Sequence, residues 1–320
     1  MLQTTINPHC LHPASLVATV LTVSCGDPLK LPQLIEQNRV LGARVEVAGE
    51  PERASPAPDE SATVRWLVAD PEEPRPVSWA FSVCEAEAVA RGTPVCRNPP
   101  FAAAESGAPV LQEPRFEFTL PSAAELQDAP RIALLGVICA DGTAELGASW
   151  SETDCVGAQA QKTYVNLDIL VAREGESNHN PSVADLPIQL DGQAWPAADP
   201  TLLEQTDCQN LPGDVPHVAP GSGEHLLRFE PADRDREPLE VDHPLDPPRE
   251  TLILSHYATA GQLDRPYSAI DPEDRISPII VPWEAPSTAT AEGRLVRFYL
   301  VARDLRGGAD WTVRALCLQP

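Results

Sequence analysis

From Asn38 onward the chain places apolar residues at every second position over short stretches, the period of a strand with one buried face. Leu41, Ala43, Val45 and Val47 alternate with Gly42, Arg44 and Glu46. Residues 63–69 repeat the pattern, and in 77–83 Val77, Trp79, Phe81 and Val83 share a face. Residues 115–120 alternate cleanly, and 132–138 are apolar on both faces, as a central strand requires. Val165, Leu167, Ile169 and Val171 close the set. Seven or so strands between Pro- and Gly-rich turns predict an immunoglobulin-like sandwich. Residues 84–112 are too many for an ordinary loop and read as an insertion.

Glu174-Gly-Glu-Ser-Asn-His-Asn-Pro181 is a polar break and the expected domain boundary. A second set of strands follows at 187–190, 225–229, 251–257, 279–281, 295–302 and 311–318. The last two flank Asp304-Leu-Arg-Gly-Gly-Ala-Asp310, a hairpin loop whose Gly-Gly accepts positive φ. In the penultimate strand Val296, Phe298, Leu300 and Ala302 face one way, while Arg297, Tyr299 and Arg303 face the other. Residues 231–248 are acidic and Pro-rich and read as a surface excursion.

The first 24 residues carry no Asp, Glu, Lys or Arg. Residues 14–23 form an apolar run of signal-peptide length, too short to cross a bilayer. The run ends in Leu21-Thr-Val-Ser-Cys25, which resembles a bacterial lipobox, with Cys25 as the lipidated residue. Two positions depart from that pattern: the leader has only His9 and His12 for positive charge, and Thr22 stands where Leu is usual. Simple secretion and a buried N-terminal strand are the other readings. Gly26 after the cysteine favours the outer membrane by the usual sorting pattern. The expected organisation is a signal peptide at 1–24, a tether at 25–37, and sandwich domains at 38–174 and 175–320.

Of eight cysteines, removal of a leader takes Cys10 and lipidation takes Cys25. Cys84, Cys96, Cys139, Cys155, Cys208 and Cys317 remain, an even number that suits an oxidising compartment. The local pairing Cys84–Cys96, Cys139–Cys155 and Cys208–Cys317 is preferred. Cys84–Cys139, joining two strands across a sandwich, is the alternative.

Composition narrows the function. Asp plus Glu is 47 against 23 Lys plus Arg, a net charge of −24, so no basic footprint exists for nucleic acid. Attachment to an anionic membrane by charge is equally disfavoured. The 35 prolines oppose long helices, and a 42% hydrophobic content supports a packed core. The expected fold class is therefore all-β, two tandem immunoglobulin-like β-sandwich domains after an N-terminal signal peptide.

The lipobox, Arg39-Val-Leu-Gly-Ala-Arg-Val-Glu-Val47 and the Trp-containing strands with a Cys resemble uncharacterised two-module lipoproteins of the myxobacterial cell envelope. These carry tandem immunoglobulin-like (PKD/cadherin-like) modules. Glu250-Thr-Leu-Ile-Leu-Ser-His-Tyr-Ala-Thr-Ala-Gly261 and Val296-Arg-Phe-Tyr-Leu-Val-Ala-Arg-Asp-Leu-Arg-Gly-Gly-Ala-Asp-Trp311 resemble their recurrent segments more closely. The resemblance implies architecture and location, and carries over no catalytic residue.

No constellation in the sequence demands chemistry. Pro220-Gly-Ser-Gly-Glu224 is not Gly-x-Ser-x-Gly and reads as a turn-rich loop. Ser255 and His256 are neighbours on a strand and point to opposite faces, so His256 reads as structural. No His-Glu-x-x-His or Cys-x-x-Cys occurs. Asp242, His243 and Asp246 read as a solvated acidic loop, with a cation site as the sharper alternative. Glu174, Glu176, Asn178 and Asn180 in the junction, with Asp304 and Asp310 at the last hairpin, offer the hard oxygens that calcium takes. As turn formers they need no ion. No catalytic residue, metal ligand or cofactor is assigned. Trp66, Trp79 and Trp311 are expected in the core, while Trp150 and Trp195 lie in loops and are candidates for exposure. The expected function is a non-catalytic envelope lipoprotein, outer-membrane or secreted. It would be held by a lipid anchor and bind or scaffold a protein or polysaccharide partner. The alternatives are a calcium-dependent adhesion or polysaccharide-binding module and a secreted hydrolase with a β accessory domain.

Overall fold

Alternating β-branched and aromatic residues extend the backbone and bury one side of each strand. The computed structural model describes residues 31–87, 95–111, 113–126, 129–148, 152–173, 177–183, 186–199, 202, 204–239 and 249–320. Cys25, the leader and the first part of the tether lie outside them. The first group of strands is β1 (Arg39–Val47), β2 (Ser61–Ala69), β3 (Val77–Cys84), β4 (Ala86–Glu87), β5 (Val95–Cys96), β6 (Ala102–Glu105), β7 (Arg115–Thr119), β8 (Arg131–Ala140), β9 (Thr143–Glu145), β10 (Asp154–Val156) and β11 (Gln161–Leu170). The second is β12 (Ile188–Leu190), β13 (Gln193–Ala194), β14 (His217–Val218), β15 (Glu224–Phe229), β16 (Leu252–Ala258), β17 (Gln262–Leu263), β18 (Tyr267–Ile270), β19 (Ile279–Glu284), β20 (Arg294–Arg303) and β21 (Ala309–Leu318).

Sheet β1-β2-β7 packs on sheet β11-β8-β3-β6, and sheet β13-β12-β15-β19-β17 packs on sheet β14-β21-β20-β16-β18. The chain is all-β. Both sandwiches share one central strand order, A-B-E opposite G-F-C-C′ in immunoglobulin notation, to which the second adds β13, β17 and β14 at sheet edges. β8 is central, as its apolar faces predict. In the first core Trp66 stacks on Phe81 with ring centroids 5.4 Å apart, and Phe116 meets Phe81 edge-on at 5.9 Å. In the second, Trp283 and Trp195 each meet Phe298 edge-on, at 5.2 and 5.0 Å.

Several sheets also carry apolar residues on the face turned away from their own core. The disulfides Cys84–Cys96 and Cys139–Cys155 hold the β4/β5 and β9/β10 hairpins over the outer face of β3 and β8. Cys208–Cys317 pins a loop that covers Leu295 and Ala315 with Leu202 and Val215. This is the local pairing.

The remaining outer faces cover each other. Leu41, Leu67 and Ala69 from β1 and β2 pack on Tyr299 and Val301 from β20. A bulge makes this possible. The β1–β2 register shifts between Val40 and Gly42, which turns Leu41 onto the outer face while Ala43 and Val45 stay on the core side. The expected common face for Leu41, Ala43 and Val45 is thus corrected. At Gly42 a Cβ would stand 3.2 Å from Val301, so glycine permits the close approach. Ile35 joins the same cluster: its N–H donates to Ala258 O at 2.9 Å, and the Gln33 side chain donates to Leu263 O at 3.0 Å. Residues 33–35, expected in a tether, are docked because Ile35 is an apolar side chain with a site to fill.

The polar break is likewise not a free linker over its described part. Asn178 and Asn180 are buried. The Asn180 side-chain amide donates to Val45 O at 2.7 Å and accepts from Ala309 N–H at 2.9 Å. Asn178 O accepts from Ala54 N–H at 2.7 Å. The Arg44 guanidinium reaches Asp310 at 2.6 Å, and Asp310 also accepts from Val183 N–H at 2.7 Å. Residues 32–320 therefore form one compact unit. Asn180→Ala leaves two buried backbone groups without these partners, at about 1–3 kcal/mol each. Urea unfolding should show a loss of about 2–6 kcal/mol, and a loss within the range of a surface substitution would mean the strap holds nothing.

Candidate functional site

Where the two outer faces do not touch, they leave a cavity of about 560 Å³, within the range of small-ligand sites. β20 and β21 contribute Tyr299, Trp311 and Val313, and β2 contributes Arg65 and Leu67. Asp70, Arg75 and Glu113 come from the loops at its mouth. The strand period places Tyr299 and Trp311 here, because residues 298, 300 and 312 face the second core or its margin.

The cations differ in their partners. Arg65 binds Glu46 at 3.0 Å and Glu113 at 2.8 Å, and its guanidinium sits 5.7 Å from the Trp311 ring. Burial disfavours its charge, but the two carboxylates outweigh burial and raise its pKa. Arg75 is clamped between Asp70 at 2.7 Å and Asp141 at 2.6 Å. Its pKa is raised in the same way, against burial. Arg297 is buried, and its guanidinium donates to the main-chain carbonyls Glu72 O and Gln205 O and interacts with the Tyr299 hydroxyl, while its Nε has no partner among the described residues. Burial lowers its pKa and raises that of Tyr299. The cavity thus offers a flat apolar wall, and behind it lies one buried guanidinium without a carboxylate bonded to it.

The structure brings Asn178, Asn180, Asp304 and Asp310 together in a network that protein donors fill except at Asn178 Oδ1, which has no partner among the described residues. Asn178 Nδ2 donates to Asp304 Oδ2 at 2.9 Å, and Arg306 N–H and Gly308 N–H also donate to Asp304. Nitrogen donors thus occupy the oxygens of Asp304, Asn180 and Asp310. Desolvation raises the pKa of Asp304, Asp235 and Glu250. Among the described residues no group of three or more His, Cys, Asp or Glu is placed to hold a metal ion. Glu174, Glu176, Asp242, His243, Asp246 and Trp150 lie outside the described residues.

Trp66 is buried, and Trp79 packs on the first core. Trp311 packs between the sandwiches and not inside one. Trp195 corrects the expectation of exposure: it is buried, and its Nε1–H donates to Ala315 O at 2.8 Å. The loop holding Trp195 folds back because the ring fills the second core. Ser255 accepts from Arg303 at 3.0 Å and makes no bond with His256. Ser222, in the loop read as a plain turn, lies 2.8 Å from His225. The sequence showed Arg297 and Tyr299 facing away from the second core but not what they would meet. Arg65, Asp70 and Arg75 carry no signal that separates them from ordinary surface charges.

His256 is fully buried, stacks on Phe229 at 5.6 Å, and has no hydrogen-bond partner on either ring nitrogen. Burial pushes its pKa down to about 4, and the nearby Arg265 carbonyl opposes this without making a hydrogen bond. The unfolded chain takes the proton near the ordinary 6.5, so stability is lost as pH falls from there toward the folded value. That loss is about 3 kcal/mol at most. The raised carboxylates act with the opposite sign, because the native state takes their protons first. His256→Phe removes two unpaired buried nitrogens. It should stabilise the protein by about 1–3 kcal/mol and flatten the His256 part of the profile between pH 6.5 and 4. Urea midpoints of the two proteins across pH test this, and parallel profiles would contradict it.

Against models of known protein families, and against curated proteins, the chain gives no match.

Proposed function

We propose that this chain is an exported, lipid-anchored binding module of the cell envelope that takes its ligand in the cleft between its two sandwiches. The observation that carries the binding role is the cleft itself, about 560 Å³ in volume and walled by Trp311, Tyr299 and Val313, with Arg297 buried behind that wall. A ligand with a flat apolar face would lie against Trp311 and Tyr299. An aromatic side chain of a partner protein or a sugar ring of a polysaccharide has that form. The anchored location is supported by the apolar leader ahead of Cys25, by the resemblance to envelope lipoproteins and by three cysteine pairs at disulfide distance.

Two measurements test this. The dye 8-anilinonaphthalene-1-sulfonate combines a flat apolar body with an anionic oxygen group. It should bind the full chain at one saturable site, and Trp311→Ala should weaken it about tenfold or more. Leu305→Ser, at an exposed leucine, should leave binding unchanged. Binding that ignores Trp311 would overturn the cleft. The intact mass of protein from the membrane fraction should fit a chain starting at Cys25 with added acyl mass. A full-length chain with free thiols would overturn the anchored location.

A further inference from the structure

Among the described residues the cleft contains no nucleophile paired with a base, but one end of the second sandwich does. Its parts come from two turns. Asp191 and Gly192 form the β12–β13 hairpin turn, with φ of 51° and 77°, the positive values of the Asp-Gly hairpin turn. Gly221-Ser222-Gly223 forms a corner just before β15, with φ of 65° at Gly221 and 94° at Gly223. The flanking glycines take the left-handed backbone, so Ser222 is presented on the bend with its side chain exposed. His225 is the second residue of β15.

These residues form a continuous relay. His225 Nδ1 lies 2.6 Å from Asp191 Oδ2, and His225 Nε2 lies 2.8 Å from Ser222 Oγ. The other Asp191 oxygen accepts from Leu226 N–H at 2.8 Å, which fixes the carboxylate relative to β15. The His225 ring is mostly covered and sits 5.8 Å from Trp283, so its orientation is fixed by packing as well. Ser222 Oγ has a second contact, 2.7 Å to Ala219 O. The hydroxyl has one proton and two acceptors. With Asp191 accepting Nδ1–H, a neutral His225 turns its Nε2 lone pair toward Ser222 and takes that hydroxyl bond. A protonated His225 donates to Oγ, and the hydroxyl then turns onto Ala219 O. The two contacts are thus the two states of a general base beside a serine. The N–H of Gly223, the residue after the serine, donates to no acceptor among the described residues, as an oxyanion donor must.

We propose that Ser222, His225 and Asp191 form a serine-nucleophile triad that hydrolyses short-chain carboxylic esters. Ser222 Oγ attacks the ester carbonyl and its proton passes to His225 Nε2, while the oxyanion meets Gly223 N–H. The carbon–oxygen bond to the alcohol breaks, the alcohol leaves with the proton from His225, and the acyl group stays on Ser222. Water then gives a proton to His225 and attacks the acyl carbon. Ser222 Oγ leaves and recovers its proton, so ester and water become acid and alcohol. Asp191 keeps its negative charge throughout and positions His225. Ser222 is exposed, which suits a short acyl group carried on a larger molecule. This reading does not depend on the cleft.

The test uses the full chain. A fluorophosphonate probe should label it covalently, with the adduct located by peptide mass spectrometry on Ser222. p-Nitrophenyl acetate should be hydrolysed with an acyl intermediate on the same residue. Ser222→Ala and His225→Gln should abolish both, and Asp191→Asn should slow labelling about a hundredfold or more. The serine is exposed, so Ser222→Ala should melt like the parent. No labelling of the folded parent under conditions that label a known serine esterase would overturn the proposal. So would an adduct on another residue, or labelling that survives His225→Gln.

Discussion

The arrangement depends on covering sheets that are apolar on both faces. A sandwich buries one face of each sheet, and β8, β20 and β21 carry apolar residues on the other as well. Left open, such faces would be large apolar patches. The chain covers them in two ways. Disulfide-held excursions lie over β3, β8 and the end of β21, and the two sandwiches close their remaining outer faces on each other. The second solution forces the junction to run through a buried place, and a polar junction must then satisfy its own groups. Asn180 does so with a donor and an acceptor bond to two different strands.

The same constraint produces the cleft. Two twisted sheets meeting by their outer faces cannot touch everywhere. The unfilled space lies between aromatic residues of one sandwich and charged loops of the other. Arg297 is buried there without a carboxylate bonded to it, a costly placement that main-chain carbonyls only partly offset. The loop end that holds Ser222 answers to a different logic, a tight turn and a glycine corner fixed by one aspartate.

The fold was largely legible because its signals are local. Periods of two located each long strand, and the double-sided apolar run at 132–138 marked a central strand before any pairing was known. The six cysteines paired in chain order, each with its neighbour along the sequence. What sequence could not supply is what depends on distant register. The bulge at Leu41 is one residue of slippage with no signature of its own. Asn178 and Asn180 look like linker residues until the last hairpin is seen to end beside them. Trp195 reads as a loop residue because its loop folds back over a core formed by strands far along the chain. Asp191 and Ser222 are separated by two short strands and a long loop, and the pairing of β12 with β15 brings them to one end.

Amide hydrogen exchange across residues 177–183 of the full chain tests the central claim most directly. If the junction is a buried strap between mutually covering sheets, Asn178 and Asn180 should be protected as strongly as the strands they join, because opening them requires separating β1 from β21. Exchange at the rate of an exposed loop, with the strands still protected, would mean that the sandwiches move independently and that the cleft between them is not a fixed site.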